Sequence, residues 1–71
     1  MGVFMREEFL KLYNSVFNDD SITNCGRESC IKLINLGYQI TDKYSLGDVN
    51  TGFINISNMK KLYKEVVENE S

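Results

Sequence analysis

Histidine, proline and tryptophan are all absent from this 71-residue chain. Without histidine the chain lacks the commonest general base near neutral pH, the commonest zinc ligand, and every Ser–His or Cys–His nucleophile pair. Adjacent carboxylates exist at Glu7–Glu8 and Asp19–Asp20. Nothing around them resembles an apolar pocket that would set their protonation apart, so no catalytic residue and no cofactor is expected. Cysteine is scarce. Cys25 and Cys30 lie five apart in a stretch that reads as helical. Side chains at that spacing face different ways, and bridging them would unwind the helix. Two reduced thiols and a cytoplasmic location are therefore expected. Long apolar runs are missing too. Gly2 to Met5 is interrupted at Arg6, too short for a secretory signal core, and no segment approaches the roughly 18 residues of a membrane span. Nor is there an excess of one charge. A net charge of −2 argues against a polyanion binder, which would carry surplus bases.

What is present reads as one small globular domain over residues 1–71, with 1–4 as a loose extension. Hydrophobic residues make up 42% and charged residues 25%, a balance that separates the chain from disordered sequences. The core of so short a chain is thin, and a partner or a second copy could matter to it. The most legible stretch is Gly52–Glu68. Phe53, Ile54 and Ile56 read as a short strand, and Ser57 reads as a helix cap. Met59, Leu62, Tyr63, Val66 and Val67 then recur at i, i+3, i+4, i+7 and i+8, one stripe of a helix. Met5, Phe9, Leu12, Tyr13 and Val16 repeat this spacing and predict a first helix over 5–17.

Between them, Cys30, Ile31, Leu33 and Ile34 give a second helix its buried side. Gly37 is predicted to end that helix in a left-handed conformation, folding Tyr38 back on Leu33. The alternation Tyr38–Gln39–Ile40–Thr41 predicts a strand that pairs antiparallel with the one at 53–56. The expected fold is α+β: two N-terminal helices, a short antiparallel hairpin and a C-terminal helix. Its expected core joins Phe9, Leu12, Tyr13, Val16, Ile31, Ile34, Ile54, Ile56, Leu62, Tyr63 and Val66.

Four features bear on function. Cys25 sits near a helix N-terminus and Arg27, a setting that favours a thiolate. The run Asp48-Val49-Asn50-Thr51-Gly52-Phe53-Ile54-Asn55, followed by a helix, resembles an EF-hand loop and the loops of dockerin modules. Asp48 and Asn50 match the first and third ligands, Gly52 the sharp turn and Ile54 the strand residue. One residue is missing near the fifth ligand, and Asn58 stands where a bidentate Glu would close the site. The resemblance implies a degenerate calcium module, and with Asp48 as the loop's single carboxylate no metal site is assigned. The order helix, helix, hairpin, helix resembles some winged helix-turn-helix proteins, implying a DNA-binding accessory domain. Arg27 and Lys32 are the second helix's bases, beside Glu28. Finally, Phe17, Phe53 and, at the rim, Tyr44 have no assigned place inside, while Lys60, Lys61 and Lys64 form a basic patch on the last helix. Together these residues predict a contact surface for another protein or a second copy, ahead of nucleic acid or membrane. The leading expectation is a non-enzymatic binding or regulatory module of inhibitor or adaptor type. Richness in Asn, Lys and Ile fits AT-rich coding, as in phage or mobile-element genes.

Overall fold

The apolar stripe of the last helix needs a surface, and two other helices supply it. A computed structural model describes residues 3–18, 21–22 and 26–70. Helix α1 spans Val3–Val16, and a two-residue ribbon follows, β1 (Phe17–Asn18) against β2 (Ser21–Ile22). Helix α2 spans Arg27–Ile40, β3 (Gly47–Asp48) pairs antiparallel with β4 (Phe53–Ile54), and α3 spans Ile56–Glu70. The α+β layout of three helices with an antiparallel hairpin is thus present.

Phe9, Val16, Leu33, Ile34, Leu46 and Met59 are fully buried, and Leu62, Val66, Ile54, Phe17, Tyr13, Cys30 and Leu36 join them in the core. Burying an aliphatic or aromatic side chain of this size stabilises by about 1.5–3 kcal/mol. One arrangement ties the chain's two ends together. The Tyr13 ring stacks on Phe17 at 4.3 Å and on Tyr63 at 4.0 Å, so α1, β1 and α3 share a three-ring pile. The outer hydroxyl of Tyr63 donates to Asn14 Oδ1 at 3.3 Å.

The structure departs from the sequence expectation at several points. Gly37 does not end α2; the helix runs through it to Ile40, and Thr41, in extended conformation, closes the end by donating to the Gly37 carbonyl at 3.0 Å. The glycine serves close packing instead. A Cβ there would stand 2.5 Å from Leu46 Cδ1 and 3.2 Å from Leu62 Cδ2. Residues 38–41 are therefore the end of a helix and not a strand, because four alternating residues also fit a last helical turn whose buried side has already been set by Leu33, Ile34 and Gly37. The hairpin partner of β4 is Gly47–Asp48, in the register Gly47↔Ile54 and Asp48↔Phe53. Helix α3 begins at Ile56, and its cap is Asn55, not Ser57: Asn55 Oδ1 accepts the Asn58 amide at 3.2 Å. Ile56 is consequently 39% exposed rather than in the core. Helix α1 begins at Val3, two residues before the start expected at residue 5.

Candidate functional site

The hairpin β3–β4 is built by its own turn chemistry. Gly47 has φ +146°, and a Cβ there would overlap the Phe53 carbonyl oxygen, so only glycine lets the strands approach. Asp48 Oδ1 accepts the Asn50 amide at 2.8 Å, the Asp48 carbonyl accepts the Gly52 amide at 2.8 Å, and Thr51 Oγ1 accepts the Phe53 amide at 3.3 Å. Helix α2 then clamps the hairpin at both ends. Arg27 Nη2 donates to the Asn50 carbonyl at 2.6 Å, holding the tip. The Tyr38 hydroxyl accepts the Leu46 amide at 3.0 Å and lies 3.4 Å from the Gly47 carbonyl, to which it donates, holding the base.

With Ile54 turned into the core, Phe53 must point the other way, and it is 73% exposed, the most exposed large apolar side chain among the described residues. Val49 at the turn, Ile56 at the start of α3 and Tyr38 on α2 are each nearly 40% exposed. Along α3, Ile56, Lys60, Lys64 and Val67 follow at helical spacing on one flank of the buried stripe, and Lys61 lies further round toward solvent. The first turn of α3 contains no acid.

The expected contact residues separate into two groups. Phe53, Lys60, Lys61 and Lys64 belong to this hairpin-and-helix surface. Phe17 does not: it is 5% exposed, because stacking on Tyr13 takes it into the core. Tyr44 is half-buried on the other side of the α3 stripe, where its hydroxyl donates to Glu65 Oε2 and Lys43 pairs with Glu65 at 3.4 Å. It fastens the 41–46 loop to α3 rather than rimming Phe53.

Other sites proposed from sequence look different in three dimensions. The EF-hand-like run is a closed hairpin turn, with the Asp48 carboxylate engaged by Asn50 and an arginine at the tip. Among the described residues no three His, Cys, Asp or Glu come together to share an ion. Arg27 is engaged with the hairpin, and the exposed side of α2 mixes Glu28 with Lys32. Cys30 is buried in the core, and Cys25 lies outside the described residues. No described helix is long and apolar enough to cross a membrane. Sequence reading missed an open groove of about 280 Å³ between α1 and α2, lined by Glu8, Lys11, Leu12, Ser15, Lys32 and Leu36. Its residues are spread over two helices, and only their packing brings them together. No protein family, curated protein or solved structure matches the chain.

Proposed function

We propose that this chain is a non-enzymatic protein-binding module that docks through the β3–β4 hairpin with Phe53 as its anchor. The observation that carries this reading is a phenylalanine 73% exposed on a turn held by two side chains of α2. An aromatic ring presented on a fixed backbone loses little freedom on binding, which is the setting in which one residue dominates an interface. The lack of histidine favours a binding role over a catalytic one. Two cysteines, one of them core, suit a reducing cytoplasm.

On this proposal the partner is a foreign protein and not a second copy. The accessible surface is 4639 Å², close to the roughly 4,500 Å² of a folded monomer of this mass. Among the described residues no buried side-chain polar atom lacks a partner. Light scattering over a wide concentration range should give the mass of one chain throughout. Captured partner should be lost on Phe53→Ser, while the thermal transition stays within a degree or two of the parent's, since the replaced ring is mostly in water. A variant that binds as well as the parent would remove Phe53 from the interface, and a mass that doubles with concentration would return the second copy to the lead.

A further inference from the structure

We infer that Arg27 is a positioning residue for the docking site: its guanidinium fixes the 49–52 turn on α2 and so sets how tightly the neighbouring Phe53 holds a partner protein. This rests on Phe53 being the docking anchor. The hairpin cannot hold that position alone. Its strands pair over two residues each, and a hairpin this short is at best marginally stable in water. The bonds from Asp48 to the Asn50 and Gly52 amides fix the shape of the turn, but not where it sits on the helices. At the base of the hairpin Leu46 and Ile54 are buried, and burial fixes that end. At the tip Val49, Asn50 and Thr51 are all exposed, so no side chain of theirs anchors the turn in the core. The tip is held from outside, by Arg27 Nη2 on the Asn50 carbonyl at 2.6 Å. Gly52 brings the turn close enough for this, since a Cβ there would stand 3.1 Å from Arg27 Cγ and 3.2 Å from the Arg27 carbonyl oxygen.

Helix α2 itself gains nothing from an arginine at this place. Arg27 is its first residue, where a cation opposes the backbone dipole, and Gly26 before it makes no side-chain cap. A residue that works against its own helix while holding another element marks a place where local preference gives way to a wider demand. Phe53 follows Gly52 directly, and with 73% of its surface exposed it has little packing of its own. Its position is inherited from the backbone, pinned by Ile54 after it and by the Arg27-held turn before it. Ordering that backbone before the partner arrives removes an entropy loss that binding would otherwise carry.

Amide nitrogen NMR relaxation on the free chain tests the first half without any partner. Residues 49–53 should show order parameters of about 0.85 in the parent and fall to about 0.6 in Arg27→Met, which keeps an apolar stem beside Gly52 but has no donor. Helix amides and the thermal transition should stay as in the parent, because Arg27 is exposed. Arg27→Lys should recover much of the loss, since an ammonium can donate to the same carbonyl. For the second half the probe is a peptide selected on the whole chain from a displayed random library and weakened by Phe53→Ser. Arg27→Met should weaken its binding about fivefold. Unchanged order parameters in Arg27→Met would overturn the inference, even with affinity lost, because Arg27 would then be a direct contact. A loosened turn with undiminished affinity would overturn it as well. A library that yields no Phe53-dependent peptide would overturn the anchor itself, and the role of Arg27 with it.

Discussion

The space above Gly37 is taken by Leu46 and Leu62, and the space above Gly47 by the Phe53 carbonyl. The two glycines differ in what would have to move. At Gly37 the obstacle is the end of a leucine side chain, but Leu46 is fully buried and has little room to retreat. Gly37→Ala should cost about 1–3 kcal/mol of overpacking, partly offset by roughly 1 kcal/mol of improved helix propensity. At Gly47 the obstacle is backbone, and φ is +146°, so Gly47→Ala should cost about 2–3 kcal/mol. Urea midpoints should fall in the order parent, Gly37→Ala, Gly47→Ala. A Gly37→Ala variant as stable as the parent would show that Leu46 can yield. Such residues are hard to read from sequence. A glycine that ends a helix and one that admits a neighbour look alike on paper, and Leu46 stands alone among polar residues, with no periodicity to mark it as core. Phe53 was legible as an outward residue because its strand neighbour Ile54 had an evident inward role. Phe17 was not, because its place depends on a ring stack made with two other elements.

Elements with enough turns announced themselves. In α1 and α3 the stripe recurs over at least three turns, and the buried residues Phe9, Tyr13, Val16, Met59, Leu62 and Val66 are among those that spacing selects; Val67, also expected in the stripe, is 41% exposed at its edge, and Leu12 and Tyr63 are only partly buried. The strands pair over two residues each, too few for any alternation to register. Their position was misread because the four-residue pattern at 38–41 offered a better-looking strand. The start of α3 slipped by two residues for a similar reason: Asn55 and Ser57 are both good caps, and the choice falls to the one that also positions Asn58, whose Nδ2 donates to the Ser45 carbonyl at 2.9 Å. Asn55→Ala should therefore lower stability by about 1 kcal/mol, and Ser57→Ala by no more than a few tenths. Equal losses in thermal melts would move the cap back to Ser57.

At the scale of the molecule, 71 residues imply a total stability of about 4–10 kcal/mol, so one core truncation matters. Leu62 is 2% exposed and sits against Gly37, where α2 and α3 meet. Leu62→Ala should cost about 2–4 kcal/mol, read as a large drop in melting temperature. A parent-like melt would mean that α3 is peripheral to the fold. The pile of Phe17, Tyr13 and Tyr63 has a separate consequence, optical rather than energetic. The chain has no tryptophan, so its near-ultraviolet circular dichroism comes chiefly from four tyrosines, and two of them are held nearly parallel at 4.0 Å from positions fifty residues apart. That signal is a built-in reporter of tertiary docking. A collapsed state that keeps its helices but releases α3 from α1 would retain the far-ultraviolet spectrum and lose the tyrosine band, without any label being attached.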